Sequence, residues 1–132
     1  MIVIDTHILL WWIGGEQRQL SAAAKRAIDA ELDGGTIYIS SASAWEIAVL
    51  AARGRIGLSA EITDWLATVE AIEAVRFVPL DNEIAVRSVQ LGDDFHKDPG
   101  DRFIVATSQK LGVPLVTADR QIRAYRQVQT IW

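Results

Sequence analysis

Short apolar runs alternate along this chain with longer stretches whose apolar positions recur at helical spacing. Ile2 to Ile4 and Ile37 to Ile39 are rich in β-branched residues and predict buried strands, as do Arg76 to Val78, Pro114 to Thr117 and Val128 to Ile131. Between them the spacing predicts helices over His7 to Ile13, Ser21 to Leu32, Ser43 to Ala52, Ala60 to Ile72, Asn82 to Leu91 and Pro99 to Leu111, with a short one after Asp119. Gly34-Gly35, Gly54 and Gly112 stand where three of these helices should stop. Strands joined by helical crossovers imply right-handed βαβ units, hence an α/β fold, a three-layer α/β/α sandwich with a central, mainly parallel sheet. Functional groups in such sheets gather at the carboxyl ends of the strands.

The 132 residues suit a single domain spanning the chain, and with half of them hydrophobic there is enough apolar material for a core without oligomerisation. No cysteine is present, so a metal site must be built from oxygen or histidine ligands, and no thiol nucleophile or disulfide framework exists. The apolar stretch Ile8 to Ile13 has no basic flank and is far shorter than the ~20 residues that span a bilayer, so no membrane segment is expected and the expected location is cytoplasmic. A net charge of −4 at first argues against a nucleic-acid partner. If four of the 17 acids form one cluster, however, the remaining 13 balance the 13 basic residues.

Asp5 directly follows the first predicted strand, and Asp119 follows Leu115-Val116-Thr117-Ala118 in the same way. If those strands are parallel neighbours, two acids from opposite ends of the chain meet at one sheet edge, where their repulsion calls for a hard cation such as Mg²⁺. Each also suits a helix cap. Glu46 lies three residues after Ser43, the capping-box pattern, and it competes for the same sheet edge as Asp5. In His96-Lys97-Asp98-Pro99-Gly100-Asp101-Arg102, Asp98 reads as an N-cap and Pro99 as the first helical residue. Asp101 is then surplus to capping, and a metal would relieve its repulsion with Asp98. Arg102 points away from Asp101 and is free to contact phosphate or pair with an acid.

These residues resemble the PIN-domain ribonucleases, most closely the VapC-type toxins of bacterial toxin-antitoxin pairs. The matching segments are Ile4-Asp5-Thr6-His7-Ile8-Leu9-Leu10-Trp11, Ser43-Ala44-Trp45-Glu46-Ile47-Ala48, the stretch from His96 to Thr107, and Leu115-Val116-Thr117-Ala118-Asp119. Together they cover essentially the whole chain. The resemblance implies an endoribonuclease with Mg²⁺ or Mn²⁺ in its site, an RNA substrate, a cognate antitoxin and a homodimer. By position Asp5, Glu46, Asp101 and Asp119 match the family's acidic quartet, with Asp98 as an accessory acid and Thr6 and Thr117 as orienting neighbours. Gly100 departs from relatives with a bulkier residue there, a change expected to loosen packing without touching an acid.

Metal ions held by carboxylates can activate water and neutralise the charge that builds on a phosphodiester. The expected division has Asp5 and Asp101 as core ligands, and Glu46 and Asp119 binding a second ion or positioning water; products would carry a 5′-phosphate and a 3′-hydroxyl. His7 and His96 offer a rival acid–base pair, and His96 also a substrate contact. Arg120, Arg123 and Arg126 beside Tyr125 suggest a rim for phosphate or a stacked base, against the plainer reading of a solvated helix face. The five tryptophans read as core, except that Trp11 and Trp12 cannot both face inward. That makes the first two helices a candidate partner surface. A Mg²⁺-dependent phosphatase would need a second Asp two residues after Asp5, where His7 stands, and a receiver domain would need paired acids there. A non-catalytic PIN-like binding module would be expected to lack quartet members, and none is missing.

Overall fold

The computed structural model describes residues 1–96 and 98–132; Lys97, within the His96 to Arg102 motif, lies outside them. Five strands form one sheet: β1 (Ile2–Ile4), β2 (Ile37–Ser40), β3 (Val75–Val78), β4 (Leu115–Val116) and β5 (Thr130–Ile131). Every pairing is parallel and the spatial order is β3-β2-β1-β4-β5. The helices are α1 (Thr6–Ile13), α2 (Ala22–Leu32), α3 (Ser41–Ala52), α4 (Ile62–Glu70), α5 (Asn82–Val89), α6 (Pro99–Leu111) and α7 (Arg120–Ala124), with a 3₁₀ turn at Gln17–Gln19 that the apolar pattern does not signal.

Alternation along the strands sorts the core into two halves. Ile2 and Ile4 of β1 pack with Ile8 and Trp12 of α1, Ile28 of α2, Ile47 of α3 and Trp65 of α4. Val3, between them, faces the other way onto Ile104 and Val105 of α6 and Ile122 of α7. Leu115 and Val116 divide in the same manner. The three-layer α/β/α sandwich is thus present, with a sheet buried on both faces. Among the described residues no helix is long and apolar enough to cross a membrane.

Two boundaries bear on the site. The second strand runs into its helix without a loop: Ser40 ends β2 and also caps α3, its Oγ accepting from the Ala42 N–H at 3.1 Å. α3 therefore starts at Ser41 rather than Ser43, and the expected capping box between Ser43 and Glu46 does not form. At the other end of the chain, Gly112 closes α6 at φ 66°, a left-handed cap that costs a residue without Cβ little. The chain then turns directly into β4. Because β3 connects to β4 across β1, the strand order reverses between β1 and β4, the crevice where α/β sheets place their ligands.

Candidate active site

The carboxyl ends of β1, β2 and β4 open on one edge, and the acids meet there. Asp5 follows β1 and is 6% exposed. Its Oδ1 accepts the Thr6 N–H at 2.8 Å, which caps α1, and its Oδ2 accepts the Thr117 hydroxyl at 2.7 Å. Burial pushes the Asp5 carboxyl above the ordinary carboxylate range, against the pull of those two hydrogen bonds. Thr117 also accepts the Asp119 N–H at 3.1 Å, so one hydroxyl links two of the sequence-predicted acids. Asp119 caps α7, its Oδ1 accepting from Gln121 and Ile122 N–H at 2.8 and 3.0 Å. The capping readings of Asp5 and Asp119 therefore hold, and each carboxylate keeps acceptor capacity beyond its cap.

Glu46 reaches the same edge from the second turn of α3. Its Oε1 accepts the Thr6 hydroxyl at 2.8 Å, and Thr6 Oγ1 lies 2.8 Å from Ser43 Oγ. Thr6 has one proton to give, so Ser43 donates to Thr6 and Thr6 to Glu46, a buried relay that fixes the carboxylate. Ser43, which reads from the sequence only as a cap, is fully buried. Its signal was its spacing: three residues before Glu46, it shares a helix face with it. Burial raises the Glu46 carboxyl as well, and the charges of Asp5 and Asp98 add to the effect.

Asp98 and Asp101 sit at the start of α6. Asp98 is the N-cap, its Oδ1 accepting the Asp101 N–H at 3.1 Å, with Pro99 as the first helical residue. Asp101 is pushed up to about 8, first by burial, then by the charges of Asp5, Asp98, Asp119 and Glu46. All five acids thus act on one locus. The tightest group is Glu46, Asp98 and Asp101, whose ligand oxygens lie within 4.8 Å of one another. Asp98, an accessory acid by sequence, belongs to this trio, while Asp5 lies at the same edge with both oxygens hydrogen-bonded.

Four sequence expectations change. Gly100 does touch an acid: a Cβ added there would stand 2.8 Å from Glu46 Cδ and 2.9 Å from both its oxygens, so the missing side chain is the space that Glu46 fills. Arg102 is not free for phosphate. Its guanidinium donates to the carbonyls of His96 (3.0 Å), Ser88 (3.0 Å), Gly92 (2.7 Å) and Phe95 (2.9 Å) and lies over the Phe95 ring. Tyr125 is no base platform, since it is buried edge-on against Phe95 with its hydroxyl donating to the Leu91 carbonyl. Trp45 is not core: it is 65% exposed, whereas Trp12 and Trp65 are buried and Trp11 and Trp132 partly so. Arg120, Arg123 and Arg126 are exposed as expected of either of their readings, and His7 is exposed.

The Arg102 clamp carries a direct prediction. Arg102→Ala leaves four carbonyls without their charged donor, and on the order of 3 kcal/mol of stability should be lost in urea unfolding. Unchanged unfolding together with weakened RNA binding would return Arg102 to the role of phosphate contact.

Comparison with known proteins agrees with this geometry. The PIN domain family matches residues 2–128. Ribonuclease VapC22 of Mycobacterium tuberculosis is 35% identical over 133 residues, covering 99% of this chain and 98% of that protein. Among solved structures, VapBC2 from Rickettsia felis bound to a promoter DNA fragment superposes with a TM-score of 0.72 at 13% identity, covering 98% of this chain and 97% of its own. A toxin-antitoxin complex from Klebsiella pneumoniae gives 0.68 at 23% identity over 97% and 95% of the two chains. VapC20 of Mycobacterium tuberculosis, a sarcin-ricin loop cleaving toxin, gives 0.66 at 18% over 98% and 99%. With the family matched over nearly its whole length and a ribonuclease VapC relative aligned end to end, this chain belongs to the PIN-domain family, in its VapC branch.

Proposed function

We propose that this chain is a Mg²⁺- or Mn²⁺-dependent endoribonuclease, the toxin of a type II toxin-antitoxin pair, working as a single nuclease domain in the cytoplasm and held in check by a cognate antitoxin. The observation that carries the reading is the oxygen-only trio of Glu46, Asp98 and Asp101 at the carboxyl edge of a parallel sheet, with Asp5 and Asp119 adding their charge. The donor set suits a hard divalent cation: carboxylates only, crowded enough to raise one another's proton affinity.

Glu46, Asp98 and Asp101 would hold the ion. When bound, it supplies activation of water and neutralisation of charge on the phosphodiester. Thr6, with Ser43 behind it, keeps Glu46 turned toward the trio, and Thr117 ties Asp5 to the Asp119 loop. Arg120, exposed at the start of α7 beside Asp119, is placed to grip a phosphate of the RNA, with Arg123 and Arg126 extending that rim. A homodimer, as the family resemblance implies, is part of the same reading.

The test is cleavage of total RNA by the purified chain with Mg²⁺ or Mn²⁺, with and without excess EDTA. Discrete fragments bearing a 5′-phosphate and a 3′-hydroxyl are expected, and EDTA should remove them. Cleavage that persists in EDTA, or hydrolysis of phosphate monoesters with RNA left intact, would overturn the proposal.

A further inference from the structure

Two buried side-chain nitrogens have no hydrogen-bond partner among the described residues, Arg87 Nε and His96 Nε2. A buried donor without a partner is costly, and where one persists it usually serves something besides packing. Arg87 at least shares its guanidinium with Glu83 on the same helix. His96 Nε2 has a different neighbour. It lies 3.1 Å from Asp101 Oδ2, close enough for a hydrogen bond but not aligned as one. Such contacts at apo sites commonly tighten once the site is loaded.

Both the ring and the backbone of His96 are fixed by neighbouring residues. Its side chain is 18% exposed and its imidazole packs tilted against the Phe95 ring, with centroids 4.5 Å apart. The carbonyl of His96 accepts Arg102 Nε at 3.0 Å, and the same guanidinium takes the carbonyls of Gly92 and Phe95. Arg102 follows Asp101 directly on α6. The backbone of His96 is thus anchored to one residue of α6 while its ring meets the residue before it. A ring so placed lies beside Asp101, which favours a positioning role over the substrate contact that the sequence also suggests.

We propose that His96 is a positioning residue for Asp101: with its proton on Nε2 the imidazole holds Oδ2 and leaves the other carboxylate oxygen to the cation. The inference rests on the metal-dependent reading above. Outer partners of ligating groups commonly set metal affinity by a factor of ~10 to 100. A glutamine at this position carries an amide N–H at about the reach of Nε2, whereas alanine carries none.

The experiment is Mn²⁺ binding to the purified full chain without RNA, followed by the electron paramagnetic resonance signal of free Mn²⁺. Wild type, His96→Ala, His96→Gln and Asp101→Asn are compared, followed by RNA cleavage across a Mn²⁺ titration. We expect His96→Ala to weaken Mn²⁺ binding about 10- to 100-fold, His96→Gln to recover most of that loss, and cleavage by His96→Ala to approach wild type at saturating Mn²⁺. Asp101→Asn should lose tight binding altogether. Wild-type Mn²⁺ affinity in His96→Ala beside a clear loss in Asp101→Asn overturns the role of His96 and leaves the metal site standing. Equal losses in both His96 variants point to ring packing and also overturn it. A cleavage defect that persists at saturating Mn²⁺ with affinity unchanged would make His96 a substrate contact. Wild-type binding by Asp101→Asn sinks the metal reading itself, and this inference with it.

Discussion

Exchanging Asp101 for asparagine is expected to abolish RNA cleavage and, at pH 8 without metal, to raise the melting temperature of the same protein. The two effects come from one cause. Asp101 is largely buried among Asp5, Glu46, Asp98 and Asp119, and each of those charges makes its ionised form less favourable. Asparagine has nearly the same shape and no charge. Removing a proposed ligand of the metal should cost on the order of 10³-fold in cleavage, comparable with losing one preorganised electrostatic partner elsewhere. Removing a carboxylate forced to ionise against its neighbours should return on the order of 1–3 kcal/mol to the metal-free fold at pH 8. Cleavage assays and thermal melts on one preparation check both halves. A variant that is inactive and also less stable at that pH would mean that Asp101 serves the fold rather than the chemistry.

The second large effect is the pH dependence of the metal-free protein. Unfolded Asp and Glu carboxyls titrate near ~4. In the folded chain Asp101 titrates at about 8, and Asp5 and Glu46 are also raised, all three chiefly through burial. Between those limits the folded state binds more protons than the unfolded state, so this part of the stability is complete below about pH 4 and is lost as pH rises through the folded values. Glu31 and Asp81 are shifted the other way by hydrogen bonds to the N-terminal ammonium and to Lys110, and their contribution is lost only as pH falls below the carboxylate range. Melting temperature without metal should therefore decline from pH 5 to pH 8.5, whereas many proteins are most stable between pH 5 and 8. Saturating Mn²⁺ should reverse the trend, because the cation competes with protons for the same oxygens and stabilises by RT ln(1 + [L]/Kd). A metal-free melting temperature that does not change over this range would show that the acids do not crowd one another as the geometry implies.

The scaffold was largely readable from the apolar pattern, because β1 and β4 are buried on both faces and so stand out as short continuous apolar runs between helical stretches. Asp5 and Asp119 were placed correctly for that reason: each follows a strand, and parallel neighbours end at the same edge. What escaped depends on contacts through space. The start of α3 is ambiguous in the sequence because Ser40, Ser41 and Ser43 are all plausible caps, and only the end of β2 selects among them. Arg102 looked like a phosphate ligand because its true partners are backbone carbonyls, which carry no sequence signal. The place of Asp98 in the trio with Glu46, and the space that Gly100 leaves for Glu46, arise where α3 meets the start of α6, with Glu46 and Asp98 52 positions apart in the chain.

The bracing of Asp5 also bears on descent. Its two oxygens join the first turn of α1 to the segment after β4, so this carboxylate supports the centre of the sheet whether or not RNA is ever cut. A descendant relieved of selection for cleavage could shed Asp101 at little cost to its architecture, whereas Asp98 caps α6 and Asp5 could be shed only with a compensating change at Thr117. In lineages that become inactive, position 101 should decay first, and position 5 should be among the last to change, in step with position 117.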